Sequence, residues 1–177
     1  MRAAVLGTGI MGAGSVAEAV DGADAVLSLV YDEASVLAVA DELVGALGPD
    51  AVWVQSSTVG PDGVRRIAAA AGAAAGRLVD GPVLGTRKPA EAGALVVLAS
   101  RPAAARASAA PVLDAVGSRS VDVGETIGDA SALQLVCNAF VATLNAGIAQ
   151  SWALASALGP APALFVEALR GGAMDAP

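Results

Sequence analysis

The chain has 177 residues, of which 55% are hydrophobic and 15% are charged, and its formal net charge is −7. At about 100–200 residues per domain, this length allows one domain, or one domain and part of a second. A single cysteine excludes an internal disulfide, and the lack of histidine excludes a typical zinc site and a histidine general base. The acidic balance predicts no nucleic-acid partner and no binding to an anionic membrane, since both need clustered lysine and arginine.

Up to residue 116 the sequence predicts short apolar strands that alternate with alanine-rich helices. The predicted strands are Arg2–Leu6, Ala25–Val30, Ala51–Gln55, Arg77–Val79 and Ala94–Ala99. The predicted helices are Ala13–Val20, Glu33–Leu47, Pro61–Ala71 and Pro102–Val116. Buried strands separated by helices are typical of a parallel sheet that is covered on both faces. The sequence therefore predicts a protein of the α/β class.

The character of the chain changes after Gly124. Residues Ile127 to Leu158 predict one helix of about 45 Å, which ends at Gly159-Pro160 and precedes a short helix over Ala161–Leu169. Because most of its surface is apolar, the long helix needs further helices or a second subunit as partners. We expect a first domain over residues 1–124 and the start of an all-helical domain over residues 125–177.

The sequence predicts a cytoplasmic protein without a membrane span. Apolar runs such as Ala25–Val30 are much shorter than the ~18 residues of a spanning helix. Arg2, the apolar stretch after it and Ala17-Glu18-Ala19 are similar to a secretory signal. Four glycines interrupt that stretch, namely Gly7, Gly9, Gly12 and Gly14.

A glycine pattern follows the first predicted strand. Gly7-Thr8-Gly9-Ile10-Met11-Gly12 opens the next helix, the context in which G-x-G-x-x-G indicates a dinucleotide-binding turn with the pyrophosphate at the helix N-terminus. The alternative is an alanine- and glycine-rich turn without a ligand. Asp32 lies 20 residues after Gly12, where an acidic residue would hold the ribose hydroxyls. Only residues 13–24 separate the pattern from the second strand, the minimum for a parallel crossover, which weakens the case for Asp32.

Four segments carry a resemblance to the β-hydroxyacid dehydrogenases, which include 3-hydroxyisobutyrate dehydrogenase and glyoxylate/succinic semialdehyde reductase. In the family's order they are Val5–Gly12, Ser57-Thr58-Val59, Asp80–Leu95 and Gly128–Asn138. The run Arg87-Lys88-Pro89-Ala90-Glu91 is most similar to the glyoxylate reductase branch. The resemblance implies an NAD(P)-binding Rossmann domain, a partial helical domain and a homodimer formed through the long helix. It also implies hydride transfer between NAD or NADP and a small hydroxyacid or aldehyde-acid.

The resemblance assigns site residues motif by motif. Those expected to bind the cofactor are Gly7, Thr8, Gly9, Ile10, Met11 and Gly12 at the pyrophosphate, Val30, Tyr31 and Asp32 near the adenosine, and Thr58 beside the nicotinamide. Those expected to bind the substrate carboxylate are Leu84, Gly85 and Thr86, with Lys88 attracting it. Those expected to face the reacting carbonyl are Gln134, Asn138 and Thr58.

The chain departs from the family pattern in three places. The rest of the first helix, the second strand, the second helix and the third strand are missing, so the usual reader of the ribose is absent and the choice between NAD and NADP stays open. Gln134 stands where the family has its catalytic lysine, and Lys88 is the only lysine in the chain. Leu84 replaces a serine of the substrate loop.

Simpler interpretations of the same residues stay open. Thr58 fits the end of a strand or a helix cap, Gln134 and Asn138 fit polar positions in an interface, and Lys88 fits a solvated loop. Cys137 fits a buried small residue. For the whole chain, one alternative is an enzyme similar to the imine reductases, which also lack the lysine. The other is a non-catalytic dinucleotide-binding or dimerisation module.

Overall fold

The computed structural model describes residues 1–7 and 14–172 as strands, helices and connecting turns. The strands are β1 (Ala3–Gly7), β2 (Ala25–Leu29), β3 (Val52–Gln55), β4 (Leu78–Asp80), β5 (Val83–Leu84), β6 (Val96–Ser100) and β7 (Arg119–Gly124). The α-helices are α1 (Val16–Val20), α2 (Glu33–Ala46), α3 (Gly60–Ala71), α4 (Arg87–Glu91), α5 (Arg106–Val116), α6 (Asp129–Leu158) and α7 (Pro162–Leu169). Short 3-10 helices follow α3, over Gly72–Arg77, and precede α5, over Ala103–Ala105.

The strands form one sheet in which β1, β2, β3 and β4 are parallel neighbours in that order. This confirms the α/β class and the parallel-dominated sheet. The far side differs from the prediction, since β6 runs antiparallel to β4 and β5, and β7 pairs parallel to β6. The chain between β4 and β6 holds only β5 and the five-residue α4, so it turns back as a hairpin instead of crossing over a face.

The sequence prediction missed β5, α4 and β7. Strand β7 has exposed polar residues among its apolar ones, and it pairs only with β6 in the described part of the sheet. A strand on the border of a sheet needs no continuous apolar run, so it lacks the signal by which the inner strands were predicted.

Two apolar layers cover the sheet. On one face α1, α2 and α3 enclose Trp53, Leu43 and Ile67, all fully buried. On the other face α5 supplies Ala109 and Leu113 against the inner strands. Burial of each large side chain contributes about 1.5–3 kcal/mol, so these layers hold the strand ends in fixed positions.

Strand β1 is more exposed than predicted, since Arg2–Leu6 was expected to be a buried strand. Val5 is 65% exposed, and β1 pairs only with β2 in the described residues. Among the described residues, the connection between these strands holds a single helix, the five-residue α1, and β2 lies directly beside β1. This arrangement agrees with the missing segment that the family resemblance implies, since the inserted strands would lie beyond β1.

The chain divides into two compact units, Met1–Leu135 and Val136–Pro177, and the division falls within α6. In the first unit, the opening turns of α6 bury Ala130, Ser131 and Gln134. In the second unit, large apolar side chains of α6 such as Phe140 and Ile148 are exposed. The boundary expected at residue 124 stays a prediction.

Helix α6 also bears on the expectation that no segment could span a membrane. Among the described helices, it alone is long and apolar enough to do so by length and composition. The expectation rested on short uninterrupted apolar runs, whereas alanine and scattered small polar residues make a 30-residue helix apolar on average. This criterion is weak, because a helix that packs against other protein also meets it.

Candidate functional site

The carboxyl ends of the parallel strands bring three of the predicted segments together. Gly7 ends β1 and pairs with Leu29, the last residue of β2, so that Val30, Tyr31 and Asp32 follow directly beside it. Ser28 pairs with Gln55, which places Thr58 just beyond the neighbouring strand end. Ligands of open α/β sheets bind outside such carboxyl ends. Of the glycine pattern, Thr8, Gly9, Ile10, Met11 and Gly12 lie outside the described residues.

A buried polar chain supports this edge. The Gln55 side chain accepts from the Ser57 backbone N–H at 2.7 Å and donates to the Ser57 carbonyl at 3.0 Å. The Ser57 hydroxyl accepts from the Val30 N–H at 2.9 Å. Trp53 Nε1 donates to the Ser28 hydroxyl at 2.8 Å, beside Gln55. Sequence reasoning missed Gln55 and Ser57 as contributors to the site, although polar residues that end a buried strand were the available signal.

Asp32 begins α2. Its carboxylate accepts from the Ser35 backbone N–H at 2.8 Å and from the Ser35 hydroxyl at 2.7 Å, both through Oδ1. The hydroxyl first and the backbone N–H second lower the pKa of Asp32, so it is an anion at neutral pH. Asp32 therefore has a structural role as a helix cap, and its expected contact with the ribose stays a prediction. Tyr31 next to it is 86% exposed.

Thr58 is exposed at the end of the segment after β3. The cap position of α3 is occupied by Val59, and no side chain of the described residues caps this helix. Thr58 therefore does not cap α3, contrary to that interpretation. Its hydroxyl faces no protein partner among the described residues, which leaves it available to a ligand.

The predicted substrate loop forms a tight turn between β5 and α4. Leu84 ends β5, Gly85 has φ +129°, and Thr86 is the residue before α4. A Cβ atom on Gly85 would lie 2.7 Å from Leu95 Cδ2 and 3.1 Å from Pro89 Cβ, so this turn requires glycine. Lys88 is exposed on α4.

Asp80 fastens the start of α6 to the sheet. Its side chain is fully buried, and Oδ2 accepts from the backbone N–H groups of Gly128 and Ser131, each at 3.0 Å. The Ser131 hydroxyl donates to Oδ1 at 2.7 Å, and the Ser100 hydroxyl donates to Oδ2 at 3.2 Å. A carboxylate that accepts several N–H bonds at a helix N-terminus is favoured by the helix dipole as well. Asp80 thereby sets the position of the first turns of α6.

Gln134 lies one turn beyond Ser131 and contacts the strand that leads into the substrate loop. Its Nε2 donates to the Val83 carbonyl at 3.0 Å, and the residue is 5% exposed. Because Val83 offers a carbonyl acceptor, the amide nitrogen must be on that side and Oε1 on the other. Gln134 Oε1 has no hydrogen-bond donor among the described residues. The expected interface role of Gln134 is replaced by this intramolecular contact.

Two other residues of α6 were also singled out. Asn138 is exposed and belongs to the second compact unit, and its expected role at the reacting carbonyl stays a prediction. Cys137 is half-buried, so it is more accessible than the buried small residue that was expected. Within the described ranges no cluster of three acidic or cysteine side chains could hold a metal ion.

The fold and this edge define a dinucleotide-binding domain of the Rossmann type. The family described as the NAD-binding domain of 6-phosphogluconate dehydrogenase matches residues 2–126, and the chain belongs to this family. The resemblance to the β-hydroxyacid dehydrogenases, expected from the four segments, is confirmed by the relatives that the chain matches.

Glyoxylate/succinic semialdehyde reductase 1 of Arabidopsis thaliana is 31% identical over 86% of this chain and 50% of its own length. The 3-hydroxyisobutyrate dehydrogenase of Pseudomonas aeruginosa is 31% identical over 94% of this chain and 58% of its own. An imine reductase variant from Myxococcus stipitatus, solved with NAD+, has a TM-score of 0.81 over 95% of this chain and 71% of its own, at 21% identity. That last likeness concerns the fold alone. The chain spans about half the length of the curated relatives.

Proposed function

We propose that the chain is the cofactor-binding part of an NAD(P)-dependent oxidoreductase that interconverts a small hydroxyacid with its aldehyde-acid or keto-acid. The observation that carries this proposal is the carboxyl edge of β1–β4, where Gly7, Val30–Asp32, Thr58 and Asp80 lie at or just beyond neighbouring strand ends. A cofactor site of this kind needs adjacent strand ends, free backbone groups and a glycine at the first turn. Of these, the adjacent strand ends and the glycine that ends β1 lie in the described part of the edge.

The residues at this edge fit a nicotinamide dinucleotide. Gly7 is exposed, and among the described residues the nearest atom to a Cβ added there is the Leu29 carbonyl oxygen, at 3.7 Å. Thr58 and Tyr31 are exposed on the neighbouring strand ends. Gly7 would hold the pyrophosphate with residues 8–12, Asp32 and Tyr31 would lie by the adenosine ribose, and Thr58 would border the nicotinamide. When bound, the nicotinamide ring supplies or accepts the hydride.

The chain's own residues would orient the substrate. Backbone N–H groups of Leu84, Gly85 and Thr86 would bind its carboxylate, and the exposed Lys88 would attract the anion. Gln134 would hydrogen-bond the reacting group but cannot release a proton as an ammonium group does. In this proposal the proton exchanges with water or with another side chain.

A second candidate is reduction of an imine, and the orientation of Gln134 favours it. One Gln134 N–H is directed at the Val83 carbonyl, so the acceptor Oε1 and the second N–H are left for a ligand. A protonated imine presents an N–H donor to such an oxygen, and it takes up a hydride without needing a further proton. A substrate carbonyl presents only acceptors, so it gains nothing from Oε1 and could bind only the second Gln134 N–H.

The remaining properties belong to the same proposal. We infer a homodimer through α6, supported by its exposed apolar side chains Phe140, Leu144, Ile148 and Trp152. It also includes a cytoplasmic location, the absence of a membrane span, use of NADP or NAD, and domains over residues 1–124 and 125–177. The alternative of a non-catalytic dinucleotide-binding or dimerisation module rests on the missing second strand and the missing lysine.

The decisive experiment is a titration of the purified chain with NADH and with NADPH, followed by nicotinamide fluorescence. Binding in the micromolar range supports a cofactor site, and binding of neither at about 1 mM would refute it for this chain. If the cofactor binds, its oxidation by glyoxylate, succinic semialdehyde or a cyclic imine separates the two enzymatic candidates. Cofactor binding without oxidation by any of them favours the non-catalytic module.

A further inference from the structure

Two adjacent serines at the end of β3 connect to opposite neighbours. Ser56 and Ser57 are 3% and 1% exposed. The Ser56 hydroxyl donates to the Gly81 carbonyl at 2.6 Å, beyond β4, whereas the Ser57 hydroxyl accepts from the Val30 N–H at 2.9 Å, beyond β2. Each hydroxyl therefore contributes one hydrogen bond, buried for Ser56 and partly buried for Ser57, but only Ser57 contacts the segment assigned to the adenosine side of the cofactor.

The hydrogen bond between Ser57 and Val30 continues the pairing of β2 and β3 beyond their last backbone hydrogen bond. The last backbone bond between β2 and β3 runs from the Ser56 N–H to the Ser28 carbonyl at 2.9 Å. Beyond that point the strands would separate, and the Ser57 hydroxyl provides the acceptor for Val30 that a backbone carbonyl no longer provides. Without it the partly buried Val30 N–H would lose its acceptor among the described residues.

Gln55 holds Ser57 in the conformation that this contact requires. Its amide satisfies both backbone groups of Ser57, accepting at 2.7 Å and donating at 3.0 Å. Gln55 is itself fully buried, and the Ser28 hydroxyl lies 3.5 Å from its Oε1. Because the Gln55 amide is held at several points, it fixes the backbone of Ser57. The Ser57 hydroxyl is therefore directed at Val30 before any ligand binds.

We propose that Ser57 is a positioning residue for the cofactor. It fixes the spacing between Val30–Asp32 at the end of β2 and Thr58 at the end of β3, the two segments that would hold the two ends of the dinucleotide. Ser57 acts through Val30 and the backbone of Thr58 and does not itself touch the cofactor. This inference rests on the proposed cofactor site and adds the residue that preorganises it.

The test compares Ser57→Ala with Ser56→Ala, two variants that each lose one buried hydroxyl from adjacent positions. The Kd for NADH is measured by nicotinamide fluorescence at a temperature where circular dichroism shows all proteins folded, and thermal midpoints are recorded for each. We expect both midpoints to fall by similar amounts. We expect the Kd to rise about five- to tenfold in Ser57→Ala, the equivalent of one lost hydrogen bond, and less than about twofold in Ser56→Ala. Ser57→Cys, which retains the volume but has a weak acceptor, should follow Ser57→Ala.

The outcomes separate this inference from the function on which it rests. If the wild-type chain does not bind NADH, both are overturned. If the wild-type chain binds NADH and a folded Ser57→Ala or Ser57→Cys variant binds it equally well, the role of Ser57 alone is overturned. Equal weakening by Ser56→Ala and Ser57→Ala also overturns it, because a general loss of stability would then account for both. Weakening confined to the Ser57 variants supports it.

Discussion

Removal of the Asp80 carboxylate tests how the long helix is joined to the sheet. Asp80→Ala takes the acceptor away from the backbone N–H groups of Gly128 and Ser131 and from the hydroxyls of Ser131 and Ser100. The hydroxyls can turn to other partners, but the two N–H groups are fixed by the helix. Asp80→Asn keeps the shape, and its carbonyl can take the place of Oδ2, while the Ser131 hydroxyl turns to accept from the new amide.

The two substitutions should therefore differ in cost. Each buried donor left without a partner costs about 1–3 kcal/mol, so Asp80→Ala should lower the free energy of unfolding by about 3–5 kcal/mol. Asp80→Asn loses mainly the charge assistance of these bonds and should cost about 1–2 kcal/mol. A domain of this size has about 5–15 kcal/mol in total, so the alanine variant is expected to be close to unfolding.

The assay is urea unfolding followed by the fluorescence of the buried Trp53, in a Trp152→Phe background that removes the second signal. The matched control is Asp62→Ala, whose exposed carboxylate pairs with Arg65 at 2.9 Å and should change stability by no more than about 0.5 kcal/mol. A cost below about 1 kcal/mol for Asp80→Ala would refute the reasoning, as would equal costs for the alanine and asparagine variants.

Three further predictions follow from single residues of the site and of the helix layer. Gln134→Lys should raise glyoxylate or succinic semialdehyde turnover by about 10²-fold in steady-state assays, because it adds a proton donor; an unchanged rate counts against the site assignment. Gly85→Ala should lower stability by about 1–3 kcal/mol in urea titration through its positive φ and the close Leu95 contact, and a neutral effect contradicts the turn geometry. Arg66 donates to Glu33 at 2.6 and 2.7 Å, and these bonds lower the pKa of Glu33 from its usual 4.5. The bridge therefore contributes stability above about pH 4.5 that is lost as the pH falls through the lowered pKa. Glu33→Gln should flatten that part of the pH–stability curve, and parallel curves for wild type and variant would exclude it.

The inner strands and the long helix were predicted to within a few residues of their observed bounds. Buried strands such as β3 carry a continuous apolar run, and α6 carries 30 residues without proline, so local composition is sufficient to recognise them. The glycine pattern over residues 7–12 likewise indicated a cofactor site, and the segment Asp80–Leu95 indicated a substrate loop. Both could be recognised because each pattern consists of residues that lie close together in the sequence. The same reasoning overlooked β7 and expected β1 to be buried.

Only the tertiary structure decided the contacts between segments far apart in the chain. Three hydrogen bonds of the site join residues that are 51, 51 and 27 positions apart. They run from Ser131 to Asp80, from Gln134 to Val83 and from Val30 to Ser57. A polar residue in the sequence shows that it can form a hydrogen bond, but its partner is selected by the packing of the elements that carry both groups. The sequence by itself determined the family, the main elements and the candidate residues. The packed structure determined which of their polar groups are already bound to protein and which remain for a ligand.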